Sequence, residues 1–192
     1  MKIKSNCKGP QIIDNFLSSA SIYRLNNQVL EYGKVHFFGY DNIPIQSNAL
    51  YDLVSAIHEI IDYEVLGSTA WYNIRPKNPT WHNDISSYCT RNGKFYEPKI
   101  LPPYTFIYYM REAKAGGNLT FRNGSTVKPI ANRLVYFPAG DDHKVEQYTG
   151  NRVSIGIIPW PEIPEEIFEC KLTSKLSKTL NRIWEIEDGT LT

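Results

Sequence analysis

The chain has 192 residues, of which 42% are hydrophobic and 21% charged, and its formal net charge is +1. That length suits one domain with a sizeable core, and the ordinary composition excludes a disordered, fibrous or repetitive architecture. With charges near balance and the lysines and arginines scattered, nothing electrostatic points to a nucleic acid or an anionic membrane as partner.

In chain order, residues 11–17 are apolar and close on Asp14-Asn15, which predicts a short strand feeding a helix capped by Ser18 or Ser19 and running to Leu25. Residues 35–40 predict a strand, closed by turn chemistry at Asp41, Asn42 and Pro44. From Asn48, a plausible cap, to Ile61, the residues Leu50, Leu53, Val54, Ile57, Ile60 and Ile61 recur at helical spacing. The character changes after Gly67. A strand is expected at 71–74, then a proline-rich loop leading to Trp81-His82-Asn83-Asp84, then a long loop. Strands follow at 104–110, 118–122, 126–130, 133–138, 143–148 and 152–159, each rich in Val, Ile, Thr, Tyr or Phe and bounded by Gly, Asn or Pro. After Pro164 the spacing of Leu172, Leu176, Leu180 and Ile183 predicts a helix. Evenly spaced short strands mean a barrel or jelly roll. The expected fold is therefore α+β and mainly β: helical support over 1–67, a double-stranded sandwich over 68–160 and a helical segment over 161–192, all in one domain.

Cys7, Cys89 and Cys170 are too far apart for a CxxC pair, so neither a zinc site nor a disulfide scaffold is expected. The first residues lack the apolar run of a signal peptide, and no stretch of about 18 apolar residues occurs. A soluble, cytoplasmic protein is the expectation. The 13 tyrosines suit a sheet-rich fold that encloses a polar ligand.

Of four histidines, two have informative neighbours. His82 and Asp84 are two apart, so on extended chain their side chains leave one face. His143, after the loop 139–142, offers a third ligand from elsewhere in the fold. Two histidines and a carboxylate on one face leave three cis positions of an octahedron open, the arrangement of non-haem Fe(II) oxygenases. Two open positions can chelate a 2-oxo acid and one can take O2. A surface hydrogen-bonded pair of His82 and Asp84 is the plainer alternative. Nine residues after His143, Arg152 and Ser154 share a strand face, and a guanidinium with a hydroxyl makes a carboxylate clamp. The alternative is an ordinary exposed strand arginine.

Residues 71–160 resemble the Fe(II)- and 2-oxoglutarate-dependent oxygenase superfamily in its prolyl hydroxylase branch. The likeness rests on Tyr72-Asn73-Ile74-Arg75-Pro76, His82-Asn83-Asp84, Tyr108-Tyr109-Met110, Gly116-Gly117-Asn118-Leu119-Thr120-Phe121, Arg133-Leu134-Val135-Tyr136-Phe137-Pro138, His143 and Arg152-Val153-Ser154. It implies a double-stranded β-helix of the jelly-roll, cupin-like kind, with His82, Asp84 and His143 as catalytic metal ligands. Fe(II) and 2-oxoglutarate are the implied cofactors, with ascorbate as a possible auxiliary. Arg152 and Ser154 are implied to hold the far carboxylate, and Tyr109 and Tyr72 to reach the cosubstrate by matching position, while Tyr108 points to the opposite face. The implied activity is hydroxylation of a prolyl residue in a peptide or protein, giving succinate and CO2. A small-molecule hydroxylase on the same scaffold and a non-catalytic cupin-like binding module stay open. Asp84 argues against a halogenase, and the absence of a basic, aromatic-interleaved patch argues against a nucleic-acid dealkylase. The loop 85–103 reads equally as a substrate lid or a solvated hairpin, and Trp160 as a mouth residue or core packing.

Overall fold

The computed structural model describes residues 2–3, 7–27, 34–38, 49–73, 80–85 and 101–161. The strand end at 39–40, the cap at Asn48, most of the loop 85–103 and the helix expected after Pro164 lie outside the described residues.

The N-terminal segment forms β1 (Gln11–Asp14) and α1 (Ser19–Asn27). Ser18 is the N-cap. Its hydroxyl accepts the Ser21 backbone N–H at 3.2 Å, and its carbonyl accepts the Ile22 N–H at 3.0 Å, which satisfies one otherwise orphaned donor and starts the helix. β2 (Lys34–Phe38) and α2 (Ala49–Ile60) follow. Leu50, Leu53, Val54, Ile57 and Ile61 are at most 7% exposed, so the predicted stripe is the buried face of α2.

Next come β3 (Gly67–Asn73), β4 (Tyr104–Arg111), β5 (Ala115–Gly116), β6 (Leu119–Phe121) and β7 (Thr126–Val127). They are followed by β8 (Arg133–Pro138), β9 (His143–Val145), β10 (Tyr148–Thr149) and β11 (Val153–Trp160). Among the described residues, six strands form an antiparallel sheet in the order β1-β8-β4-β11-β3-β2, a second sheet runs β7-β6-β9, and β10 pairs with β5. All eight residues of β11 are buried, as a central strand covered on both faces requires.

Strand alternation sends side chains into two cores. On one face Ala70, Phe106, Tyr108, Leu134, Ile155 and Ile157 pack with the buried stripe of α2 and with Leu25 of α1. On the other, Ile107, Tyr109, Val135 and Phe137 meet Leu119, Phe121 and Val127 of the smaller sheet. Burying each such side chain contributes roughly 1.5–3 kcal/mol. This is the double-stranded β-helix, and its interior is the second core.

Several expected boundaries move, and the strand expected at 126–130 ends at Val127. β3 begins at Gly67 rather than 71, because Ser68 and Thr69, which look like linker, are fully buried and have partners. Ser68 Oγ lies 2.7 Å from His58 Nε2, and Thr69 Oγ1 accepts the Trp160 indole N–H at 2.9 Å. The second bond settles Trp160 as core packing, since the residue is 1% exposed. The single strand expected at 143–148 is two strands, β9 on β6 and β10 on β5. No helix among the described residues is long and apolar enough to cross a membrane.

Candidate active site

His82 and His143 are joined through their backbones. The His82 N–H donates to the His143 carbonyl at 3.0 Å and the His143 N–H to the His82 carbonyl at 2.8 Å, an antiparallel bridge that places the imidazole centroids 4.5 Å apart. Each Nδ1 lies 3.0 Å from a main-chain carbonyl, Thr80 for His82 and Asp141 for His143. A carbonyl brings no proton, so each Nδ1 must carry it and each Nε2 presents its lone pair. Both lone pairs face Asp84, whose carboxylate oxygens stand 3.9 Å from His82 Nε2 and 3.7 Å from His143 Nε2. One ligand atom from each of the three residues fits within a 4.8 Å span.

The three environments differ. His143 is 2% and Asp84 6% exposed, whereas His82 is exposed. Burial pushes the His143 pKa below the ordinary imidazole range, and the Asp84 charge opposes that shift. A neutral imidazole is the form that ligates metal. Phe137 and Phe121 wall His143 at ring distances of 4.9 and 6.0 Å. Trp81, beside His82, lies under two cations, with Arg122 Cζ 4.2 Å and Lys144 Nζ 4.7 Å from its ring. That contact presses the His82–Asp84 segment onto β6 and β9, because Lys144 belongs to β9 and Arg122 directly follows β6.

The second constellation lies on the interior face of the large sheet. In the register of β4 and β11, Ser154 opposes Tyr109, and a β-bulge there advances β4 by two residues while β11 advances by one. Arg152 is 2% exposed, and its Nε and Nη2 have no hydrogen-bond partner among the described residues. The Ser154 hydroxyl is buried and equally unpartnered, and the buried Tyr109 phenol faces the Arg152 side chain. The guanidinium carbon sits 5.1 Å from the Tyr109 ring and 5.4 Å from that of Tyr148. Burial raises the Tyr109 pKa, with the charge and the N–H groups of Arg152 opposing, so the phenol stays protonated.

His82, Asp84 and His143 are thus brought together as one set, and Arg152, Ser154 and Tyr109 as another; Tyr109 of the second set shares an interior cluster with Phe121 and Phe137, which adjoin His143. Tyr72 is not brought to either. It pairs with Ile155 and packs in the core on the helix side, the opposite face from Ser154. The ten-residue offset from His82 set its distance along the chain and left its face undetermined. Tyr108 points to the helix side as expected, where it donates to Asn132 Oδ1 at 3.1 Å and burial pushes its pKa up to about 12. Sequence reasoning missed Tyr148, whose buried phenol is also unpartnered.

The donor chemistry fits a divalent metal and a dicarboxylate. Two imidazole nitrogens and a carboxylate suit a borderline cation. A buried guanidinium with neighbouring hydroxyls and no carboxylate in ion-pair range among the described residues suits an anionic ligand.

Residues 72–158 match the family model described as the 2OG-Fe(II) oxygenase superfamily. No curated protein matches the sequence. Among solved structures, the chain is similar to a Pseudomonas putida prolyl-4-hydroxylase at 16% identity, covering 81% of this chain and 94% of that one with a TM-score of 0.55. A 2OG-Fe(II) oxygenase family oxidoreductase from Burkholderia pseudomallei is similar at 12% identity, with coverage of 81% and 87% and a TM-score of 0.54. A Trichoplax adhaerens prolyl hydroxylase, solved with a hypoxia inducible factor peptide fragment, is similar at 18% identity, with coverage of 80% and 84% and a TM-score of 0.51. Over residues 72–158 the chain is similar to the 2OG-Fe(II) oxygenases, and its fold is that of the solved prolyl hydroxylases.

Proposed function

We propose that this dioxygenase hydroxylates a prolyl residue in a peptide or protein, with His82, Asp84 and His143 holding Fe(II) and Arg152, Ser154 and Tyr109 holding the far carboxylate of 2-oxoglutarate. The observation that carries the proposal is the buried Arg152, whose Nε and Nη2 find no hydrogen-bond partner among the described residues, set against Tyr109 of the interior cluster whose Phe121 and Phe137 adjoin His143. When bound, metal and cosubstrate would supply the redox chemistry with O2 as the oxidant, one oxygen atom entering a C–H bond and the other the succinate formed from 2-oxoglutarate with loss of CO2.

The residues of this chain supply position and shielding. The carbonyls of Thr80 and Asp141 fix the ring orientation of the two histidines, and Asp84 adds the anionic ligand. The guanidinium aligns the cosubstrate by its distal carboxylate, while Phe121 and Phe137 keep water from the His143 side. The side of the set open to solvent is that of His82, where substrate would enter. The peptide fragment in complex with the Trichoplax adhaerens enzyme of this fold supports a peptide substrate.

The test is anaerobic titration of the Fe(II)-loaded chain with 2-oxoglutarate, following the weak visible charge-transfer band of the chelate. The band is expected in the wild type and lost in Asp84→Ala. Metal binding without the band would replace this reading by a cupin-like binding module. With the band present, mass spectrometry of proline-containing peptides should show the gain of one oxygen atom. Turnover of a free small molecule alone would refute the prolyl assignment.

A further inference from the structure

Tyr148 has a position that its sequence context does not advertise. It lies in β10 opposite Gly116, with its ring against the Arg152 guanidinium on one side while Tyr109 approaches the same guanidinium from β4. Its hydroxyl is buried and has no hydrogen-bond partner among the described residues, although a buried phenol ordinarily finds one. The neighbouring Gly117 makes the placement sterically feasible. Its φ is +78°, and a Cβ there would stand 3.0 Å from Arg152 Cδ and 3.1 Å from Tyr148 Cβ. Any larger residue at that point would press the arginine stem and the tyrosine apart.

Arg152 Nε and Nη2, Ser154 Oγ and the Tyr109 and Tyr148 hydroxyls are all buried without a hydrogen bond of ordinary geometry among the described residues, and they belong to side chains that adjoin Arg152 or pair with one that does. A carboxylate offers roughly four acceptor sites, and an arginine fork fills about two of them, so hydroxyls must supply the rest. We infer that the Tyr148 phenol is a further donor to the distal carboxylate of the cosubstrate, and that it helps the site distinguish a 2-oxo diacid from a 2-oxo monoacid. The inference rests on the proposed role of Arg152. It adds a residue from β10, which reaches the carboxylate from outside the large sheet that carries the other donors.

Isothermal titration of the Mn(II)-loaded full chain, wild type and Tyr148→Phe, with 2-oxoglutarate and with pyruvate tests it. Phe keeps the ring against Arg152, and melting curves check that the variant is folded. The expected result is about tenfold weaker binding of 2-oxoglutarate, equivalent to about 1.4 kcal/mol, with pyruvate binding unchanged because it lacks the distal carboxylate. Unaltered affinity for 2-oxoglutarate overturns the inference, as does equal weakening of both ligands, which would mark general damage. Failure of the metal-loaded wild type to bind 2-oxoglutarate would instead overturn the reading of Arg152 itself, so the two failures are separable.

Discussion

Replacing Arg152 by Met should stabilise the ligand-free protein and at the same time abolish its response to cosubstrate. The guanidinium is 2% exposed, with two of its nitrogens lacking hydrogen-bond partners among the described residues, and an unmet buried polar group costs about 1–3 kcal/mol. Met has a similar stem and no charge, so removing the guanidinium relieves that cost. For a chain of 192 residues, 1 kcal/mol shifts the melting temperature by roughly 2–4 °C, and the variant should melt about 2–12 °C higher. Cosubstrate acts almost wholly on the wild type. At a concentration of about 100 Kd, 2-oxoglutarate stabilises the wild type by about 2.7 kcal/mol, or roughly 5–10 °C. Losing two charge-assisted hydrogen bonds of about 1.5–3 kcal/mol each weakens binding about 10²- to 10⁴-fold. At the same concentration the variant then gains at most about 0.4 kcal/mol, a shift of about 1 °C. Differential scanning fluorimetry with Mn(II), with and without 2-oxoglutarate, measures all four states. If Arg152→Met melts several degrees below wild type without cosubstrate, Arg152 is a structural residue with partners of its own and the reasoning fails. Equal shifts in both proteins would refute it as well.

Gly117→Ala should lose about 1–2 kcal/mol of stability from its left-handed backbone and also weaken 2-oxoglutarate binding by displacing Arg152 and Tyr148, with metal affinity retained. Gly124→Ala is the control, since its φ is +86° and its position for a Cβ is open, so it should show the strain without the binding defect. Stability should fall with acid through His58. Burial lowers its pKa from 6.5 to about 4, so between those values the unfolded chain binds the proton and the folded chain does not. Stability therefore rises with pH across that window, by up to about 3 kcal/mol. Urea melts of wild type and His58→Gln from pH 4 to 7 check this, and an equal slope in both would exclude His58 as the source.

The large sheet was legible where burial and β-propensity agree. β8 has the expected bounds and β4 differs by one residue, because both are runs of Val, Ile, Phe and Tyr stopped by proline, glycine or charge. The start of β3 was hidden because Gly67-Ser68-Thr69-Ala70 has the composition of a linker, and only tertiary partners, the imidazole of His58 and the indole of Trp160, make two buried hydroxyls acceptable there. The break between β9 and β10 was hidden for a related reason. Both pieces suit a strand and keep one register against 115–121; what interrupts the ladder is the facing segment, where Gly116 and Gly117 take positive φ, a fact that no window around 143–149 contains. His82, Asp84 and His143 could be grouped from residue chemistry, and Arg152 with Ser154 from their two-residue offset on one face. Tyr72 and Tyr148 show the limit. A matching offset selected a tyrosine whose strand parity turns it toward the helices, and β10, too short for a periodic pattern, concealed one that faces the arginine.

The reciprocal hydrogen bonds between His82 and His143 tie together two points far apart in the chain before any ligand arrives. In polymer terms the long loop between them is already closed by main chain, and its closure entropy has been spent during folding. A metal seated there would act on a rigid two-toothed comb, with only the third tooth, Asp84, set by the turn that follows. Loading and emptying the centre then leaves the course of the backbone unchanged, and insertions or deletions between the two histidines can alter what surrounds the mouth of the site without altering the spacing of its teeth.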